Sequence, residues 1–79
     1  MKKNISLNNR ILKKLAINIK QKRSIANISQ EELADKVGVE RSYITAIEIG
    51  SKSPSVYCLY VIACALNTSI KELLDINLD

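Results

Sequence analysis

The sequence predicts an all-α fold, on three observations. Apolar residues recur at helical spacing along nearly the whole chain, and nowhere does the two-residue alternation of a half-buried strand persist. Two Ser-x-x-Glu segments, Ser29 to Glu32 and Ser69 to Glu72, have the pattern of helix-opening capping boxes. Gly38 and Gly50 each stand after a helical pattern, where a left-handed residue ends a helix.

The first helix is expected from about Asn9 to Ala26, with Ile11, Leu12, Leu15 and Ile19 on one face and basic residues on the others. Residues 1–8 are polar and read as irregular. Ser29 caps the second helix, whose apolar face is Leu33, Ala34 and Val37 and whose end is Gly38. The third begins at Glu40 or Arg41 and reaches Ile49, with Ile44 and Ile47 pointing inward behind Val39. After the Ser51-Lys52-Ser53-Pro54 turn, the fourth spans Ser55 to Leu66; the fifth opens at Ser69 and buries Ile70, Leu73 and Leu74. No repeat or linker interrupts these segments, and 79 residues hold one domain with a modest core.

Composition removes much chemistry. There is no His, Phe or Trp. Without imidazole there is no Ser-His or Cys-His nucleophile pair and no mixed Cys/His zinc site, so neither catalysis nor a metal is expected. The two glycines are too isolated to cradle phosphates, which removes nucleotide cofactors as well. Cys58 and Cys64 stand about 9 Å apart along a helix axis, too far to bridge, and read as reduced, mostly buried small side chains. The longest apolar run, Val56 to Leu66, has eleven residues, against about 20 for a membrane span. No signal-peptide segment follows the basic start, so the cytoplasm is the expected location and no membrane partner is expected. Charge is unevenly spread: eight basic residues and no acid lie in residues 1–28, while residues 29–79 carry eight acids against four basic residues. Such a run is either a solvated helix face or the footprint of a polyanionic partner.

The informative stretch runs from Gln30 to Ile49. Two short helices meet at a tight turn on Gly38, Ala34 lets them approach, and Ile44 and Ile47 lock the second against the bundle. With one face buried, Arg41, Ser42, Tyr43, Thr45 and Ala46 face outward near the start of the second helix, an end that suits a DNA major groove.

These residues resemble the Cro/C1-type helix-turn-helix regulators, also called the XRE family. The resemblance is carried by Ile28-Ser-Gln-Glu-Glu-Leu-Ala-Asp-Lys-Val-Gly38, Arg41-Ser-Tyr-Ile-Thr-Ala-Ile-Glu48, Gly50, Pro54-Ser55, Ile62-Ala63 and Ala65-Leu66, and within the family it looks most like the controller proteins of restriction-modification systems. It implies a five-helix, lambda-repressor-like DNA-binding domain over residues 15–75, with the helix-turn-helix at 30–49 and a basic N-terminal extension over 1–14. It also implies site residues. Gln30 meets a phosphate beside the recognition helix, or is simply exposed. Arg41 pairs with guanine N7 and O6, the commonest specific contact, or with a phosphate or a surface acid. Ser42 and Thr45 meet bases or phosphates, or only water. Tyr43 sets its ring on a thymine methyl and its hydroxyl on a phosphate, or half-buries on the bundle, and Ala46 shares the groove face. Lys52, with Ser51 and Ser53, follows the DNA backbone, as does Arg23, a recurrent basic position. Glu48 braces the fold through Arg23 or a backbone group.

Two departures from the family pattern stand out. Ile49 replaces a usually polar or basic residue, which leaves it to pack against the loop, and Lys22 replaces an apolar one, which suggests a rotated or longer first helix.

The fourth helix is apolar all round, which indicates burial on every side. Leu59, Ile62, Ala63 and Leu66 form its core stripe. Tyr57, Tyr60, Val61 and Cys64 form an outer surface that either a second copy or extra cover from the N-terminal segment must bury. The first reading gives a homodimer presenting two recognition helices to half-sites about one DNA turn, roughly 34 Å, apart. The expected function is a sequence-specific, double-stranded DNA-binding regulator of transcription on a pseudo-palindromic operator. As a controller it would act on restriction-modification genes and its own gene, repressing where it covers the promoter and recruiting RNA polymerase where it sits upstream. The rival from another class is an antitoxin, which needs a toxin-binding segment; only residues 1–8 and those after Leu74 lie outside the bundle.

Overall fold

The structure, a computed structural model, describes residues 5–76. Five helices follow in order: α1 (Ile5–Ala26), α2 (Gln30–Val37), α3 (Arg41–Glu48), α4 (Val56–Ala65) and α5 (Ile70–Leu73). No strand forms among the described residues, as expected of an all-α chain. α1 starts earlier than Asn9. Leu7, Ile11, Leu15 and Ile19 succeed one another every four residues with no Gly or Pro between them, so the apolar stripe and the helix run back together. The irregular start expected for 5–8 is therefore replaced by helix, and residues 1–4 lie outside the described residues.

One core forms where the helices converge: Leu15 and Ile19 of α1, Leu33 and Ala34 of α2, Ile44 and Ile47 of α3, Cys58, Leu59, Ile62 and Ala63 of α4, then Leu66 and Leu73. Each large side chain buried there contributes roughly 1.5–3 kcal/mol. Ala34 is small where α2 meets its neighbours, and Ile44 and Ile47 fix α3 by its inner face.

The ends of α1 to α4 share one geometry. A left-handed residue follows each helix: Asn27 (φ 57), Gly38 (φ 83), Gly50 (φ 78) and Asn67 (φ 56). The next amide then returns to a carbonyl five positions back: Ile28 to Arg23 (3.3 Å), Val39 to Ala34 (3.0 Å), Ser51 to Ala46 (3.0 Å) and Thr68 to Ala63 (2.9 Å). The capping box at α2 is complete, with Ser29 Oγ accepting from Glu32 N–H and Glu32 Oε1 from Ser29 N–H, both at 3.0 Å. The second box is only half made. Ser69 Oγ accepts from Glu72 N–H at 3.1 Å, but the Glu72 carboxylate takes the Thr68 hydroxyl and Lys22 Nζ instead.

That pairing explains Lys22: α1 is longer than expected, and the ammonium ties it to α5 at 3.1 Å. Asn18 Nδ2 donates to the carbonyls of Leu73 (2.9 Å) and Asp75 (3.2 Å), which closes the C-terminal end of α5. Leu74, expected in the core, is exposed, because α5 is a single turn and Leu74 is the residue that leaves it.

Candidate nucleic-acid interface

The back of α3 is fixed by a polar network. Glu48, at the last position of α3, is 3% exposed. Its Oε2 accepts from Arg23 Nε at 2.7 Å, and its Oε1 accepts from Arg23 Nη2 at 2.9 Å and Gln30 Nε2 at 3.0 Å. Arg23 Nη1 also donates to the Ile28 carbonyl at 3.0 Å. The hydrogen bonds from Arg23 to Glu48, and next their opposite charge, hold the guanidinium pKa above its ordinary value against the opposing effect of burial. Thr45 Oγ1 donates to Gln30 Oε1 at 2.9 Å, with the Arg41 carbonyl at 3.2 Å as a second acceptor. One chain of hydrogen bonds thus links α1, α2 and α3. The bracing role expected of Glu48 is what the structure contains. Arg23 and Gln30 converge on the Glu48 carboxylate, and Thr45 joins them through Gln30.

The front of α3 is open. Arg41 and Ser42 are exposed at its first turn, and Tyr43 and Ala46 are half-buried beside them. An open groove runs from the α2–α3 turn past Ser42, Tyr43 and Ala46 to Lys52. Lys52 Nζ lies 5.4 Å from the Tyr43 ring centroid, within cation–π range. Burial raises the Tyr43 phenol above its ordinary range, with the neighbouring Cys58 thiol adding to the shift and the Ser55 backbone opposing it; the half-buried ring packs against the core, as in the second of the two readings of Tyr43. Ser51 Oγ donates to the Ala46 carbonyl at 3.1 Å, and Ser53 is exposed in the same loop. Two carboxylates went unread in the sequence: Asp35 and Glu40 line the far end of this groove. Glu40 caps α3 without a side-chain hydrogen bond. The available signal was a glutamate where Ser, Thr, Asp or Asn usually caps.

Ile49 does not pack against the loop. It is 66% exposed, turned outward where α3 ends. α4 buries Cys58, Leu59, Ile62 and Ala63 but exposes its other face, with Tyr57 at 76% and Tyr60 at 57%. Val61 is half-buried at the edge of that face. Cys64 is exposed rather than buried, because it falls on the same stripe as Tyr57 and Tyr60; both cysteines are free. Leu74 is exposed just after α5, and Val56 adds exposed apolar surface at the start of α4. No described segment covers this face, so the alternative of extra intramolecular cover finds no covering element among residues 5–76. No described helix is long and apolar enough to cross a membrane.

A short helix braced from behind, with a polar first turn free in front and a tight glycine turn before it, defines a helix-turn-helix DNA-binding protein. The family model for the helix-turn-helix domain HTH_3, of XRE type, matches residues 19–73, and the chain belongs to that family. It is 42% identical over 60 residues to the control protein C.SmaI of Serratia marcescens, across 76% of this chain and 71% of that protein. The restriction-modification controller protein C.AhdI from Aeromonas hydrophila superposes with a TM-score of 0.76 at 32% identity, over 78% of this chain and 94% of that one. The controller protein C.Esp1396I, solved as a tetramer with its natural 35 base-pair operator, gives a TM-score of 0.69 at 33% identity, over 82% and 96%. The chain is a helix-turn-helix regulator of transcription and not an enzyme.

Proposed function

We propose that the protein acts as a homodimer in the cytoplasm on a pseudo-palindromic DNA operator, in the manner of a restriction-modification controller, regulating such genes and its own. The observation that carries this reading is the contrast within α3: a back pinned through Glu48 and a first turn left free. Arg41 then reads guanine, Ser42 and Ala46 meet neighbouring base edges or a thymine methyl, and the exposed part of the Tyr43 ring adds an apolar contact beside them. Ser51, Lys52 and Ser53 follow the phosphate backbone. Gln30 keeps one amide hydrogen for a phosphate while its other bonds hold Thr45 and Glu48, and Arg23 acts from behind by holding Glu48. The exposed face of α4, with Tyr57, Tyr60, Val61 and Cys64, supports pairing with a second copy. RNA polymerase is met where the operator adjoins a promoter.

Selection of duplexes from a random pool tests the reading. The enriched sequence is expected to hold two inverted half-sites whose centres lie about one helical turn, roughly 34 Å, apart. A pool that yields no enriched sequence would sink it.

A further inference from the structure

Unpaired positive charge flanks the C-terminal end of α3. Lys13 and Lys20 are seven positions apart on one face of α1, about 10.5 Å along its axis. They line a shallow cleft with Ala16, Ile17, Glu48 and Ile49. α1 and the end of α3 are held together there: a Cβ on Gly50 would lie 3.5 Å from the Lys13 backbone. Both lysines are exposed. Among the described residues neither has an ion-pair partner, whereas Lys22 and Arg23 are engaged by Glu72 and Glu48. Glu48, the acid in the cleft, is buried and already accepts three hydrogen bonds from Arg23 and Gln30. Since α1 contains no acid, nothing on that helix offsets the field of the two ammonium groups.

The position of this patch selects its partner. The eight residues of α3 span about 12 Å along the axis, so with Arg41 at base edges in the major groove the far end of α3 stands back toward the groove rim, where the phosphate backbone runs. α3 offers no free charge there, because its last residue, Glu48, is buried and paired with Arg23, and Ile49, which follows it, is apolar and exposed. We propose that Lys13 and Lys20 bind phosphates of the DNA strand passing the C-terminal end of α3, so that the footprint extends onto α1 and, at Lys13, beyond the segment matched by the family model. Ile17 and Ile49 line the same cleft beside the lysines. The inference rests on the reading of α3 as the base-reading element.

The test is a salt series on the full chain, with the selected operator and a random duplex. The Lys13→Gln/Lys20→Gln variant should lower the slope of log K against log[salt] by about 1.8, two phosphates at about 0.9 each, on both duplexes. The ratio of operator to random affinity should stay at the parent value. A Lys36→Gln/Lys71→Gln variant, which loses the same charge from α2 and α5, should keep the parent slope. If Lys52→Ala flattens the slope and the Lys13/Lys20 variant does not, the inference fails while the DNA-binding reading stands. A parent that binds no duplex removes both. An unchanged slope with polymerase recruitment lost would make the patch a protein-docking surface and overturn the proposal.

Discussion

α3 and α4 are helices of similar length that bury one face in the same core and turn the other outward. Their outward faces differ in kind. α3 presents Arg41 and Ser42, whereas α4 presents Val56, Tyr57 and Tyr60 with no charged residue along its length. A polar outward face can stay wet until a polyanion displaces the water, but an apolar one gains most when another apolar surface covers it. The difference teaches that exposure alone does not define a site. The chemistry of what is exposed separates the surface suited to nucleic acid from the surface suited to a second protein chain.

The largest expected effect comes from making the two faces alike. Tyr57→Lys/Tyr60→Lys would put charge on α4 at exposed positions, with little effect on the fold. Sedimentation should then show a monomer. Operator affinity should fall about 10²–10⁴-fold, because two linked half-site contacts become independent. A variant that stays dimeric would place the subunit contact elsewhere.

The next effect separates the back of α3 from its front. Glu48→Ala leaves the largely buried Arg23 guanidinium without its carboxylate, a loss of about 3–5 kcal/mol for a fully buried pair, taken here at the lower end because Arg23 keeps some contact with water. Urea denaturation should show the loss, with DNA binding failing as the fold does. Arg41→Ala should instead leave urea stability unchanged. It should cost about 1–3 kcal/mol in operator binding and relax preference at one base pair per half-site. If Arg41→Ala destabilised the fold as Glu48→Ala does, the division of α3 into brace and reading head would be wrong.

The core stripe of each helix was legible because apolar spacing reports burial directly: Leu15, Ile19, Leu33, Ile44, Ile47 and Ile62 all lie where the periodicity put them. Gly38 and Gly50 were legible as helix ends, while Asn27 and Asn67, with the same left-handed geometry, were not read as such. Asparagine is common in loops for several reasons and does not declare this one. At the candidate site the resemblance already paired Glu48 with Arg23 or a backbone group. Gln30 and Thr45 join that pair from α2 and α3 only through side-chain hydrogen bonds, which spacing along the chain does not encode. The start of α1 was misread because polar residues hid an apolar ladder with one rung every four residues, and the exposure of Ile49 and Leu74 depended on where short helices stop.

The smallest effect belongs to a contact outside both faces. Glu72 receives the Thr68 hydroxyl and Lys22, which together hold its carboxyl below the ordinary value of 4.5, the Thr68 hydrogen bond being the larger cause. A carboxyl whose pKa is lower in the folded chain binds fewer protons there than in the unfolded chain. It therefore stabilises the fold above pH 4.5, and that stabilisation fades as pH falls through the folded-state value. Glu72→Gln should melt slightly below the parent at pH 7, and the gap should close in acid. The carboxylate is open to solvent, so the gap should also shrink with added salt. Dimerisation and operator preference should be untouched, since Glu72 lies in the α1–α5 cleft with Asn18, Gln21, Lys22 and Asp75. A Glu72 variant that altered either would mean that this cleft communicates with one of the two outward faces, and the bundle could no longer be treated as a rigid frame that holds them apart.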